Sequence, residues 1–421
     1  MDQEELTSDA PALGGSAEAV VEREAEHPGW RATLYTIWVA QIFAMVGFAF
    51  VMPFIPFFIP QLGVTNPRLV PIWSGLIVTG SGVMMSVMAP IWGSLADRYG
   101  RKAMVQRAMF GGAVVLGSMA FVTNVHQLLF LRTLQGGITG TMSASVALVS
   151  SVVPRAYMGF SLGLIQTAVF TGDSFGPLLG GLAAERFGFR IPFLITGGLL
   201  IVGGCLVLFG AKERFKRPSP EEHRAAGSIL DLLRNPGMVI LLVVYTLINL
   251  GASLAGPIFP LFVKELAGNA SAGRAASLTG IIIAVTGVTS AVASVVVGRC
   301  SDHWGHRPML VACVGAAGVM CLPQAIVRSV PQLLIVRAIF GMGAGGMTPA
   351  MNAIISSMAP RNRLGQAYGI TTAAASIGWA TGPAIGGWVA SILGLRVPFV
   401  MTGLILIGMA AVAQKWLRES S

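Results

Sequence analysis

The sequence predicts an all-α membrane protein of twelve transmembrane helices arranged as two pseudo-symmetric six-helix bundles. Three observations carry this prediction. The chain is 54% hydrophobic and 11% charged with mean hydropathy +0.73, so too little polar surface exists to cover a water-facing core. Apolar stretches of the roughly 20 residues needed to cross about 30 Å of hydrocarbon recur along its length. Four separate patterns also occur twice, offset by about 205 residues, which marks a duplicated half-unit of the kind that builds transporters.

Residues 1–32 precede the first span and carry Asp2, Glu4, Glu5, Asp9, Glu18, Glu22, Glu24 and Glu26 against Arg23 and Arg31. They read as a disordered acidic cytoplasmic tail without the basic start of a signal peptide. Spans are expected near 34–60, 72–95, 104–123, 127–152, 159–183 and 192–210, forming a first bundle over 33–210. A second set, near 238–263, 277–298, 309–327, 331–357, 366–390 and 397–416, forms a bundle over 238–416, followed by a short tail at 417–421. The linker, 211–237, has a basic front of Lys212, Arg214, Lys216 and Arg217 and an apolar run from Ile229 to Leu233. It reads as a cytoplasmic connector whose front faces anionic lipid.

With both termini inside, 19 of the 28 Lys and Arg residues fall on the cytoplasmic side, 7 outside, and Arg132 and Arg337 within spans. This positive-inside bias explains the formal charge of +10 without a nucleic-acid partner. Cys205, Cys313 and Cys321 fall in spans and Cys300 at a cytoplasmic end, which reads as reduced thiols rather than a disulfide framework. No metal-ligand spacing and no catalytic dyad is visible in the spans, so neither cofactor, metal nor enzymatic activity is expected.

In the first span of each half a glycine precedes paired prolines: Gly47 with Pro53 and Pro56, Gly251 with Pro257 and Pro260. Proline inside a span removes a helical hydrogen bond, so the repetition predicts bent helices around a central cavity. The loop after the second span reads Gly93, Leu95, Ala96, Asp97, Arg98, Gly100, Arg101, Lys102, and its degenerate copy retains Gly298, Asp302, Gly305 and Arg307. Gly93 and Asp97 are four apart on one helix face, where the glycine allows a neighbouring helix to approach the carboxylate. Gly100 permits the tight turn, and the basic residues offer ion-pair partners.

The sharpest repeat is a glycine-proline pattern. Gly163, Gly172, Gly176, Pro177, Gly180 and Gly181 return as Gly369, Gly378, Gly382, Pro383, Gly386 and Gly387 with identical spacing. Steps of four align Gly172, Gly176 and Gly180 on one smooth face for close packing, while Gly163 is about half a turn out of phase. Pro177 orphans the carbonyl of Asp173, and Pro383 that of Trp379.

Taken together, these motifs resemble the major facilitator superfamily, and most closely its twelve-span drug:proton antiporters, the bacterial multidrug efflux transporters. The loop matches the superfamily's G-x-L-A-D-R-x-G-R-K signature, and the glycine-proline pattern is similar to that of the antiporter branch. Arg132, Gln135 and Gly136 resemble the branch's R-x-x-Q-G motif. The resemblance covers roughly 33–416 and implies the major facilitator fold, an inner-membrane location and an interface, on the glycine-proline face, against the opposite half. Gly93, Asp97, Arg98, Gly100, Arg101, Lys102, Asp302, Gly172, Gly176, Pro177, Gly378, Gly382 and Pro383 would then gate the rocking of the halves. Many relatives carry an acid in the first span; this chain has none there.

Asp173 is the one acid expected deep in a span, where an unpaired charge costs at least about 2.5–3.5 kcal/mol. It is therefore either a proton-exchanging group with Arg132 as its partner, or a neutral packing or cavity-facing acid. Gln41, Phe48, Phe170, Tyr245, Asn249, Asn352 and Trp379 are expected to line the cavity. With 20 methionines and few buried charges, that cavity should suit an amphiphilic small molecule. The functional expectation is a monomeric secondary transporter in membrane lipid, exporting drugs or metabolites in exchange for protons. A dedicated exporter of one siderophore, antibiotic or lipid, or a non-coupled facilitator, is the alternative.

Overall fold

The structure, a computed structural model, describes residues 29–154, 157–213, 236–358 and 364–416, apart from the side chains of Asp97, Asp302, His303 and 364–366. The acidic tail before residue 29, most of the linker and the last five residues lie outside the described residues. Trp30, Arg31 and Ala32, expected to belong to the tail, are instead helical. Trp30 stacks on Tyr157 with ring centroids 5.1 Å apart, which extends the first helix beyond its apolar run.

The described residues are helical without strands. In the first half, α1 (Trp30–Phe50) leads through a turn into α2 (Ile55–Phe58) and a 3₁₀ turn over Ile59–Leu62. Then follow α3 (Leu69–Tyr99), α4 (Arg101–Ser118), α5 (Val125–Ile138), α6 (Thr141–Val152), α7 (Met158–Phe187) and α8 (Ile191–Gly210). The second half comprises α9 (Pro236–Leu254), α10 (Phe259–Ala267), α11 (Ala272–Trp304), α12 (His306–Ile326), α13 (Val330–Met358), α14 (Leu364–Leu393) and α15 (Val397–Trp416). Each expected span is met by a helical rod, and most rods extend several residues past the apolar stretch. Among the described residues, nine runs are long and apolar enough to cross a membrane. The three rods outside this set are α5–α6, α7 and α14, the last two being the glycine-proline helices. The first is divided into helices of 14 and 12 residues, each too short to span; in the other two, small residues that pack against protein dilute the hydropathy.

The paired prolines break the chain where the repeat predicts a bend. Pro53 lies in the turn after α1 and Pro56 in the first turn of α2; likewise Pro257 lies in the turn after α9 and Pro260 in the first turn of α10. The fourth span departs from the expected continuous helix over 127–152. It divides at Thr139, which is extended, and Gly140, which takes φ +119°, a conformation glycine adopts at little cost. Its repeat partner α13 runs unbroken through Pro349.

Repeated contacts hold the two halves in the same shape. The Thr196 hydroxyl donates to the Gly47 carbonyl at 3.2 Å, and Thr402 to Gly251 at 2.8 Å. Arg190 donates to the Ala120 carbonyl, while Arg396 donates to Ala325 and Val327, so a cation satisfies the orphan carbonyls ending the third and ninth spans. Phe54 packs edge-on against Phe193, as Phe259 does against Phe399.

The halves meet along two helix pairs, α7 with α11 and α3 with α14. Where α3 begins and α14 ends, a Cβ on Gly75 would collide with the Pro383 carbonyl, and one on Gly387 with the Pro71 carbonyl. The other seam is equivalent: Gly280 lies against the Pro177 carbonyl and Gly181 against that of Ala276. Toward the opposite ends of these helices the seams part. A Cβ added at Gly93, Gly163, Gly298 or Gly369 would have no neighbour within 4 Å. The described chain ends, near residues 29 and 416, lie on this parted side: α1 ends at Phe50, which packs on Gly180 beside the closed contact of Gly181 with Ala276, and twelve rods bring residue 416 back to the side of residue 29. The molecule is therefore closed at the far end and open at the end of the termini.

Candidate functional site

Two adjoining chambers occupy the centre between the halves. The first, about 410 Å³, is lined by Phe48, Met52, Pro56, Val78, Asp173, Pro177, Pro257, Trp379 and Pro383, among others. The second, about 380 Å³, is lined by Ser81, Met85, Ser86, Arg132, Gln135, Tyr245, Thr372 and Ser376, and shares Phe48, Met52, Val78 and Trp379 with the first. Both fall within the size of drug-binding sites. Closer to the far end, a vestibule of about 1030 Å³ lies between Gln61, Arg68, Lys264 and Ala272.

The duplicated prolines position the first chamber. Pro177 and Pro383 sit inside α7 and α14, each four residues after a side chain that faces the cavity. Asp173 and Trp379, separated by half the chain, thereby line one chamber. Asp173 is accessible from that chamber, and it is the one acid among the described side chains lining either.

Arg132 does not pair with Asp173. Its guanidinium is almost wholly buried and Nη1 donates to Gln135 Oε1 at 2.7 Å, while Nε has no partner. Spacing of three on α5 brings Arg132 and Gln135 to one face, which turns the arginine into the second chamber and away from the acid. Its repeat partner Arg337 lies 4.1 Å over the Phe259 ring and 5.1 Å over Phe340, where aromatic faces replace a carboxylate.

Three of the seven expected lining residues, Phe48, Tyr245 and Trp379, face the chambers. Gln41 is fully buried within the first half, accepting from Ser145 at 3.0 Å and donating to Thr141. Phe170 lines neither chamber. Asn249 folds back to donate to the Tyr245 carbonyl and packs on Gly378. Asn352 is exposed near the terminal end, its carbonyl accepting from Tyr368. These residues lie on helices, as the sequence predicts, but which side of a helix faces the cavity is set by packing. Met45, Met52 and Met85 are wall residues that helical spacing alone does not separate from core methionines.

The glycine face also needs correction. Gly172, Gly176 and Gly180 press on Met45, Ala49 and Phe50 of α1, inside their own half. Gly378, Gly382 and Gly386 likewise press on Leu250, Ser253 and Leu254 of α9. The face that meets the other half is the adjacent one, Ser174, Pro177 and Gly181, and it is received by Gly287, Gly280 and Ala276 of α11. On the other seam Gly82 receives Ala380 at 3.1 Å and Gly75 receives Pro383. Gly75 and Gly82 recur as Gly280 and Gly287 at the same offset, a signal available in the sequence.

The seams differ in their polar contacts. At α7–α11, Glu185 pairs with Arg274 at 3.6 Å and accepts from the Ser277 hydroxyl, which also reaches the Gly181 carbonyl at 3.2 Å. At α3–α14, the Ala384 amide donates to Thr79 at 3.0 Å. Glu185 thus ties the halves together at the far end.

At the terminal-side loop, Glu213 and Lys102 make contacts within one half. Gly100 and its counterpart Gly305 take φ +95° and +90°, the turn the motif requires. Glu213 accepts from the Arg101 and Lys102 amides at 3.0 and 2.8 Å, and Lys102 Nζ donates to the Leu208 and Ala211 carbonyls. The acid caps the start of α4 and the lysine caps the end of α8. Arg98 lies 5.9 Å from the Tyr99 ring. Gly93 approaches no neighbour, because the halves are apart here; the side chains of Asp97 and Asp302 lie outside the described residues.

A family model described as Major Facilitator Superfamily matches residues 37–273 and 241–421. The chain is 33% identical over 379 residues to "Multidrug resistance protein MdtG" of Citrobacter koseri, covering 90% of this chain and 93% of that protein. It is 33% identical over 380 residues to "Multi-drug resistance efflux pump PmrA homolog" of Lactococcus lactis subsp. lactis, with coverage of 90% and 93%. Among solved structures, a bacterial homolog of the human lysosomal transporter Spinster, in an inward-facing and occupied conformation, superposes with TM-score 0.75 at 14% identity, covering 92% and 96% of the two chains. The nucleoside transporter NupG superposes with TM-score 0.74 at 12% identity, covering 92% and 100%.

Proposed function

The chain belongs to the Major Facilitator Superfamily, and on that premise we propose that it exports drug-like amphiphiles across the bacterial inner membrane by alternating access in exchange for protons. The multidrug efflux relatives support export, and the central chambers supply a site of drug-like volume. Both termini face the cytoplasm in this reading, the chain acts as a monomer embedded in lipid, and the conformation is inward-open. Substrate enters from the cytoplasm or inner leaflet through the parted end.

The halves then rock on the α7–α11 and α3–α14 seams, where glycines opposite backbone carbonyls permit contact without interlocking side chains. The contact between Glu185, Arg274 and Ser277 and the opposing glycines hold the outer side shut until that movement.

Asp173 is the proton site. The observation that carries this is its position as the one described acid lining the chambers, beside a proline-weakened helix turn. Facing outward it takes a proton and lets a cationic substrate go; facing inward it loses the proton and can hold the next one. Exchange of one proton for a monovalent cation moves no net charge, so the pH gradient drives it, at about 1.4 kcal/mol or roughly a tenfold concentration ratio per pH unit. In proteoliposomes with an imposed pH gradient, Asp173→Asn is expected to abolish uphill ethidium accumulation while leaving the melting temperature of the purified protein unchanged. Unchanged uphill accumulation in this variant excludes Asp173 from coupling.

A further inference from the structure

The two central chambers carry opposite charges, neither answered by a described residue lining the same chamber. The first contains Asp173 and no cationic side chain; the second contains Arg132 and no acid. Arg132 is almost wholly buried, is held by a neutral amide and retains an unpartnered Nε. A buried guanidinium has five donors and gains most from a bidentate carboxylate, which Gln135 cannot supply. Between the charges stand Phe48, Met52, Val78 and Trp379, common to both chambers, and they form an apolar and aromatic wall.

We infer that the preferred substrates are bipolar: amphiphiles carrying an amine and a carboxylate on opposite sides of an aromatic or aliphatic body. The carboxylate lies against Arg132, with Ser81, Ser86 and Tyr245 around it, the body stacks on Trp379 and Phe48, and the ammonium lies against Asp173. This inference rests on the reading of the chain as an exporter. It makes Arg132 a specificity-determining residue in place of a partner for Asp173. It also joins recognition to coupling, because the substrate's ammonium and the transported proton occupy the same carboxylate in turn.

The test uses three fluorescent probes with one body: Nα-dansyl-lysine, which has both charges, its methyl ester, which has the amine alone, and its Nε-acetyl derivative, which has the carboxylate alone. Equilibrium binding to the purified full chain is expected to favour the bipolar probe at least tenfold over either derivative, the ratio for one good charge-assisted contact. In Arg132→Gln the ratio of bipolar probe to ester should fall to about one, while the ratio of bipolar probe to acetyl derivative persists. Asp173→Asn should show the converse. This crossed pattern cannot come from misfolding, because each variant retains one of the two preferences. An ester that binds as tightly as the bipolar probe, or an Arg132→Gln variant that weakens all probes alike, overturns the inference. Efflux of ethidium and of the bipolar probe, measured on the same preparations, separates the two readings: efflux with no bipolar preference refutes only this inference, whereas absence of efflux of both compounds refutes the exporter.

Discussion

Replacing Gly280 with alanine should open the far end of the molecule. An added Cβ would lie 2.9 Å from the Pro177 carbonyl carbon and 3.0 Å from Leu178 Cα, and closer still to the Pro177 oxygen. These are backbone atoms of a helix, so relief requires moving α7 against α11. Overpacking of this kind costs about 1–3 kcal/mol, and it is felt only while the seam is closed. The gain in helix propensity from Gly to Ala, up to about 1 kcal/mol, applies to both conformations and cancels. The equilibrium should therefore move about 5- to 150-fold toward an open far end. Spin labels at Gln61 and Lys264, on opposite sides of the vestibule, report this as a longer distance population. Gly298→Ala, on the same helix but with nothing within 4 Å, is expected not to open the far end. A folded Gly280→Ala protein with an unchanged distance distribution, or equal widening in both variants, would refute the argument that this seam carries the closure.

Two further outcomes follow from contacts at either end. Glu185→Ala removes the Arg274 pair and the Ser277 hydrogen bond; both partners of the pair are partly exposed, so the loss is about 1–2 kcal/mol. The same spin-label pair should show an increase of about 5- to 30-fold in the open population, and no increase would mean the glycines alone hold the seam. Glu213→Gln and Lys102→Met each weaken a helix cap between α4 and α8, at about 0.5–2 kcal/mol apiece. Both should lower the melting temperature by a few degrees without changing the spin-label distances, whereas a shifted conformational equilibrium would assign these residues to gating.

The duplicated glycines were legible as a repeat but not as partners. Steps of four on Gly172, Gly176 and Gly180 identify a smooth helix face, and spacing contains nothing to say whether α1 or α11 lies on it. The structure assigns that face to α1 and turns the neighbouring one, with Pro177 and Gly181, to the opposite half. Gln41 and Asn249 failed as wall residues for a related reason. A polar side chain at membrane depth must find a partner, and both found one inside their own bundle.

Composition, span length and internal repetition by themselves determined twelve helices in two matched bundles, because lipid leaves the backbone few alternatives. They also determined the broken first and seventh spans, since proline removes a hydrogen bond wherever it stands, and the place of Asp173 within a helix that contains Pro177. Tertiary structure alone decided that Asp173 and Arg132 face separate chambers, that Trp379 stands between them, and that the far end is closed. Those facts depend on how helices rotate and seat against one another. That rotation is chosen by contacts between residues far apart in the chain, which one sequence read along its length does not encode locally.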